Sequence, residues 1–366
     1  MKKPVLLLEC CTCFLIYSLL RFPDALLTAS AEGVQLWLTK VFPSLFPFLA
    51  ACGILLRIGA AQRMGKLLQP LMQPLFRLPG VAAFPFFFGI LSGYPMGAKL
   101  TALLYKEKQL SLADAQHLLA FSNCPGPLFL IGTVGVGFFG TAAFGYLLWL
   151  SALLGAVCTG LFLRFRKKRM PSACRIASVP LHAALTEVLS HSVADALQTI
   201  LLIGGYLILF GVLSAALTEA GLFSLLSRLF FFLPLSAESL RGILSGLLEM
   251  TNGAFLLSRS ADALPLRLGL TAFLVSFGGF SILGQTLGVL AAVPISKKDY
   301  LKGKLLHALF SSLSFSMLYP IFQEYTQKEV PVFFPLTETS FSFSFLRLLP
   351  LLFFLAVLGY AFVRRE

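Results

Sequence analysis

Apolar residues run along this chain in long blocks separated by short polar or charged stretches. A helix that crosses a bilayer needs about 20 mainly apolar residues. Blocks of that size fall at roughly 4–21, 39–58, 113–137, 142–163, 197–217, 266–292, 303–322 and 345–363, and each predicts a spanning helix. Two further apolar stretches, 79–104 and 235–260, are interrupted near their middles. Amphipathic segments near 63–77, 181–196 and 222–232 predict helices lying along the interface.

Composition turns that pattern into a statement about solvent. Hydrophobic residues make up 57% of the 366 and charged residues 12%, where a soluble domain carries about 25% charged residues. Too few polar side chains exist to cover a water-facing surface, so lipid is the solvent. The net charge of +13 raises the question of nucleic acid. Its placement answers that question. The basic residues gather at segment ends, at Lys2 and Lys3, Arg164 to Arg169, Lys297 and Lys298, and Arg364 and Arg365. That is the positive-inside pattern of cytoplasmic loops. No basic stripe alternates with aromatics, so nucleic acid is not an expected partner.

These clusters set an orientation. With Lys2 and Lys3 inside, every strong basic cluster falls inside, provided that 79–104 and 235–260 are re-entrant hairpins rather than full spans. Both termini are then cytoplasmic. The N-terminal run lacks a small-residue cleavage site and reads as an uncleaved first helix.

The interrupted stretches also match each other. Gly89-Ile90-Leu91-Ser92-Gly93 recurs as Gly242-Ile243-Leu244-Ser245-Gly246, an offset of 153. Gly132-Thr133-Val134-Gly135 lines up with Gln285-Thr286-Leu287-Gly288 at the same offset. Helix breakers lie between the matches, at Ser122 to Pro127 and at Ser276 to Ser281. An odd number of spans separates the hairpins, so the two halves face opposite ways, a plan shared by many secondary transporters. The fold class expected is therefore an all-α polytopic membrane protein of about eight spanning helices plus two re-entrant hairpins in an inverted-topology repeat. Its parts are an N-terminal helix (1–32), a first repeat (33–163), a basic cytoplasmic loop (164–180), a second repeat (181–323), and an extracytoplasmic loop with a last helix (324–366).

Gly and Pro free backbone N–H and C=O groups, each costing several kcal/mol if left bare in hydrocarbon, so such backbone must face protein or a wet cavity. Four breaks at similar depth imply one central polar site. Its candidates are Ser92, Gly93, Tyr94, Asn123, Gly126, Glu249, Thr251, Asn252, Ser276, Gly278 and Gln285. Glu249 is an intramembrane acid, a functional candidate by default; pairing with a nearby group is the structural alternative. Asn123 and Asn252 either coordinate a ligand or cap half-helices. Gln285 either reads a ligand or glues helices. Lys99 meets an acidic ligand, pairs with Glu249, or snorkels to the interface. A lone His117 reads as structural.

No enzyme constellation is present: the chain lacks Gly-x-Ser-x-Gly, His-Glu-x-x-His and the phosphate-binding Gly-x-x-x-x-Gly-Lys-Ser/Thr. Cys10, Cys11 and Cys13 have no His or second Cys pair at ligand spacing, so neither metal nor cofactor is expected.

Several stretches resemble a known family. They are Phe42 to Phe48, Ser92-Gly93-Tyr94-Pro95-Met96-Gly97-Ala98-Lys99-Leu100, Phe121 to Phe129, and Ser276 to Ser281. Over roughly 33–325 the chain resembles the sporulation integral membrane proteins of the YlbJ type, which carry the nucleoside-recognition, or gate, domain. The resemblance implies a similarity to parts of concentrative nucleoside transporters and of the ferrous-iron transporter's membrane domain, and a role in spore cortex formation. Cys124-Pro125-Gly126 departs from the more Ser- and Asn-rich stretch expected there. The leading expectation is a transporter-like protein that moves a small polar solute or ion, with the bilayer as its first partner. The alternative is a non-transporting scaffold recruiting cortex or coat assembly proteins through Arg164–Pro180 and Glu324–Phe341. Homo-oligomerisation stays open.

Overall fold

The computed structural model describes residues 3–164, 185–230 and 232–327. The predicted span 345–363 and most of the loop 164–180 lie outside them. The chain divides into two units, Met1–Tyr319 and Pro320–Glu366.

The described residues are helical throughout, without strands. Helix α1 (Lys3–Arg21) is followed by α2 (Pro23–Leu36), a π-helical turn at Trp37–Val41, and α3 (Phe42–Arg57). From Pro23 to Arg57 the chain is one continuous apolar helix of 35 residues. The span predicted at 39–58 therefore begins earlier, at Pro23. Helix α4 (Ala60–Phe76) meets a 3-10 turn (Gly80–Ala82) and α5 (Ala83–Ser92) at an angle of 90°. Arg77, in left-handed conformation, closes α4 and makes that corner.

Then come α6 (Met96–Lys106), α7 (Leu112–Ser122), a π-helical segment (Leu128–Phe138), α8 (Ala142–Arg164) and α9 (Leu185–Glu219). The block 113–137, read as one span, is two helices parted at residues 123–127. Pro125 and Pro127 supply no backbone N–H, so the helical ladder cannot cross them. Of the interfacial helix predicted at 181–196, the described residues 185–196 are instead the first part of α9, whose apolar core carries the polar turns along with it. Helices α10 (Leu222–Leu229), α11 (Ala237–Leu248), α12 (Met250–Arg259), α13 (Leu264–Phe277), α14 (Gly279–Val289) and α15 (Lys297–Gln327) complete the described chain. Among the described residues five helices are long and apolar enough to cross a membrane.

Both interrupted stretches are helical hairpins, α5–α6 and α11–α12. Glycines let their arms touch. A Cβ on Gly89 would lie 3.0 Å from Gly97 Cα, and one on Gly242 3.1–3.2 Å from Leu257. Gly253 packs on Gly246 backbone to backbone. Ser239 Oγ donates to Ser260 Oγ at 2.9 Å, closing the base of the second hairpin.

Aromatic packing fixes the first hairpin's incoming arm. Phe121 on α7 stacks on Phe76 at 4.8 Å and lies 5.4 Å from Phe86. The exterior, by contrast, is apolar: Leu20, Leu128, Leu185 and Met317 are all largely exposed. In water such surface would be a liability; in lipid it costs nothing.

Candidate functional site

Each hairpin tip rests against the break in a later helix. The first tip turns at Gly93, whose φ of +93° favours glycine. A side chain there would also meet Gly126, with its N at 2.7 Å and Cα at 2.9 Å. In return, a Cβ on Gly126 would lie 2.7 Å from Ser92 O. The second tip meets the α13–α14 break in the same manner. Gly278 and Gly279 both have positive φ, and a Cβ on Gly279 would lie 2.9–3.2 Å from the carbonyls of Gly246, Leu247 and Leu248 at the end of α11. Only glycine permits these approaches.

Tyr94 joins the two pairs. Its hydroxyl donates to the carbonyls of Ser276 at 2.9 Å and Val275 at 3.1 Å, at the break between α13 and α14. It also accepts from Lys304 Nζ at 2.8 Å. Lys304 lies on α15 and is fully buried. Its ammonium donates further to Asn123 O at 2.9 Å and faces His307 Nδ1 at 3.2 Å. Asn123 O is available because its helical partner would be the N–H of residue 127, which is proline. The Asn123 side-chain Nδ2 donates to Thr286 Oγ1 at 3.0 Å and to Tyr300 Oη at 2.9 Å.

The residues of the second tip do different work. Glu249 is the N-cap of α12: its two carboxylate oxygens accept from Thr251 N at 3.0 Å and Asn252 N at 2.8 Å. The negative charge therefore sits on the positive end of a helix dipole. Asn252 Nδ2 donates to Ser245 Oγ at 3.0 Å and Ser214 Oγ at 3.2 Å, tying α12 to α11 and α9. Between the Tyr94 and Glu249 groups stands an apolar contact of Tyr94, Met250, Ile282 and Phe129.

The structure thus brings Ser92, Gly93, Tyr94, Asn123, Gly126, Ser276 and Gly278 together. It sets Glu249, Thr251 and Asn252 one apolar layer away. Gln285 is buried, but its amide reaches Ser281 Oγ on its own helix at 3.4 Å. Lys99 lines a separate cleft with Arg57, Glu107 and Asp195. There Arg57 donates to Asp195 at 2.6 Å, joining the end of α3 to α9. His117 contacts Gly160 O at 3.1 Å, between α7 and α8.

Sequence reasoning passed over Lys304, His307, Tyr300 and Thr286. A signal was there. Tyr300, Lys304, His307 and Ser311 recur at helical spacing inside or beside a predicted span, and such a polar stripe must face protein.

The geometry defines a class: an all-helical integral membrane protein with two helical hairpins packed tip-to-break around a buried polar cluster. Comparison with known proteins supplies the family. The family described as gate, nucleoside recognition, matches residues 38–142. The chain is 34% identical over 358 residues to sporulation integral membrane protein YlbJ of Bacillus subtilis (strain 168), covering 91% of this chain and 87% of that one. It therefore belongs to the YlbJ family of sporulation integral membrane proteins. Among solved structures, a variant of CNTnw in an outward-facing state shares 12% identity, covering 89% of this chain and 86% of that one, with a TM-score of 0.46.

Proposed function

We propose that this chain is a transporter-like protein of the spore-forming cell that moves a small polar solute or ion by alternating access, and that its activity serves spore cortex formation. The two hairpins are re-entrant and enter from opposite faces, as the positive-inside rule requires, and both termini are cytoplasmic. The halves of this inverted repeat rock about the cluster of Ser92, Tyr94, Asn123, Ser276 and Gly278, with Glu249 and Asn252 at the second tip.

One observation carries this reading. Tyr94, on the tip of the first hairpin, is bonded to the broken backbone at Val275 and Ser276, about half the chain away. Irregular backbone at membrane depth is tolerated only where it meets protein or lines a cavity, and here two such irregularities close on each other. A contact of this kind is what a gate between two half-structures needs.

The test sets tips against loops. In a strain lacking the gene, complementation with variants at Asn123, in the break facing the first tip, or at Asn252, on the second tip, is expected to fail to restore mature spores. Exchange of 164–180 or 324–341 for unrelated linkers is expected to restore them. The reverse result would favour a scaffold that recruits assembly proteins through its loops. Uptake of labelled solutes into proteoliposomes then separates transport from other roles of the same tips.

A further inference from the structure

Lys304 is the least expected residue of the cluster. It lies at membrane depth, where an uncompensated ammonium is expensive. It does not snorkel, since only 2% of it is exposed. Nor is it paired with an acid: Tyr94 Oη, Asn123 O and His307 Nδ1 are all neutral.

Two of these acceptors are held in their accepting role by another bond, and the third is freed by a missing one. Tyr94 gives its proton to the carbonyls of Ser276 and Val275, leaving lone pairs for Lys304. His307 Nε2 lies 2.9 Å from Ala152 O, a group that can only accept, so Nε2 carries the proton and Nδ1 offers its lone pair. Asn123 O is freed by Pro127. Three acceptors thus meet the three donors of one ammonium. The Tyr94 ring adds its face, with Nζ 4.7 Å from the centroid. More acceptor capacity is in reserve, because the buried Asn123 Oδ1, Ser122 Oγ and Ser276 Oγ have no hydrogen-bond partner. Cys124 and Tyr300 are the other titratable groups of the cluster: the Cys124 thiol donates to Phe121 O at 3.1 Å, and Tyr300 Oη accepts from Asn123 Nδ2 at 2.9 Å. Neutral, pre-oriented lone pairs of this kind solvate a small monovalent cation as they do an ammonium.

We propose that the Lys304 ammonium is a tethered cation occupying a monovalent-cation site made by the first hairpin tip, the break after α7, and α15. Helix α15 is seated to deliver it. A Cβ on Gly303 would lie 2.5 Å from Ala120 Cβ on α7, and Gly155 on α8 packs against Ser311. The positive charge that joins tip, break and α15 is therefore covalently supplied, and this junction needs no dissolved sodium. The inference goes beyond solute movement and stands whether or not the chain transports anything.

The experiment uses the full chain purified in detergent and melted in sodium, ethylammonium or choline chloride at equal ionic strength. Wild type is expected to melt at one temperature in all three. Lys304→Ala, which empties the site, should melt lower in choline. Sodium or ethylammonium, at ten times its dissociation constant, should raise that melting temperature by about 2 °C. Equal melting of folded Lys304→Ala in the three salts would overturn the proposal. Lys304→Met keeps the stem and removes the charge, and decides the case in which the alanine variant is not recovered. It should melt below wild type and gain nothing from either cation, whereas melting like wild type sinks the idea.

Discussion

Tyr94 and Ser276 are 182 positions apart, and the hydroxyl of the first donates to the carbonyl of the second over 2.9 Å. The bond spans two breaks, the turn after α5 and the end of α13. Tyr94→Phe keeps the ring in its apolar contact with Met250 and Ile282. It removes a donor to Ser276 and an acceptor from Lys304. Leaving a buried partner unsatisfied costs about 1–3 kcal/mol, more where that partner is charged. The variant should therefore melt clearly below wild type in detergent. A melting temperature unchanged by Tyr94→Phe would show that the tip is not held there.

Much of this was legible in the sequence, for reasons of solvent. Lipid requires long apolar runs and punishes free backbone, so spans and breaks are written as hydropathy and as Gly and Pro. Ser92 to Gly97 and Ser276 to Gly279 stood out on that ground, and the structure brings them to one cluster. Lys304 was not legible in the same way. A lysine eight residues into a helix that begins at Lys297 reads as part of the basic loop beside it. Only the contact with Asn123 O, made free by a proline elsewhere in the chain, shows why it is buried. The role of Glu249 was hidden by the same limit. Hydropathy marks a costly acid but cannot show that a break at Glu249 starts a new helix for it to cap.

The second hairpin depends on glycine more than on any polar bond. Gly253 packs directly on Gly246, and a Cβ there would also lie 2.7 Å from Gly242 O. Gly253→Val must push α11 and α12 apart, which overpacking data price at about 1–3 kcal/mol or more. The same change at Gly205, with nothing within 4 Å of an added Cβ, is the control. The expected result is low yield and early melting for Gly253→Val and near-normal behaviour for Gly205→Val. Equal behaviour of the two would mean that the arms are not in contact.

Glu249 separates stability from function. Glu249→Ala removes the cap of α12 and should cost about 0.5–2 kcal/mol. Glu249→Gln keeps one acceptor oxygen and loses the charge, so its melting temperature should lie between those of alanine variant and wild type. If the charge takes part in solute or ion coupling, Glu249→Gln inserts normally yet fails to support spore maturation or solute flux. Normal spores and flux in that variant would leave Glu249 a cap and nothing more.

Asp262 gives the second hairpin a pH dependence at its base, in the loop between α12 and α13. Its carboxylate accepts from Ser236 Oγ at 2.6 Å and Ser236 N at 3.0 Å, so it ties the start of α11 to the end of α12. The Ser236 hydroxyl bond, ahead of any other cause, holds the carboxyl below its ordinary value of 3.8. A group lowered on folding contributes stability above its unfolded value and loses it as pH falls through the folded one. The tie should therefore be intact at neutral pH and weaken only below about 3.8. Hydrogen exchange at the α11 N-terminus is the measurement. Asp262→Ala should speed exchange at Ser236 and Ser239 at neutral pH, and the difference from wild type should shrink in the acid range. A difference that stays constant down to low pH would show that the charge of Asp262 does not hold the hairpin base.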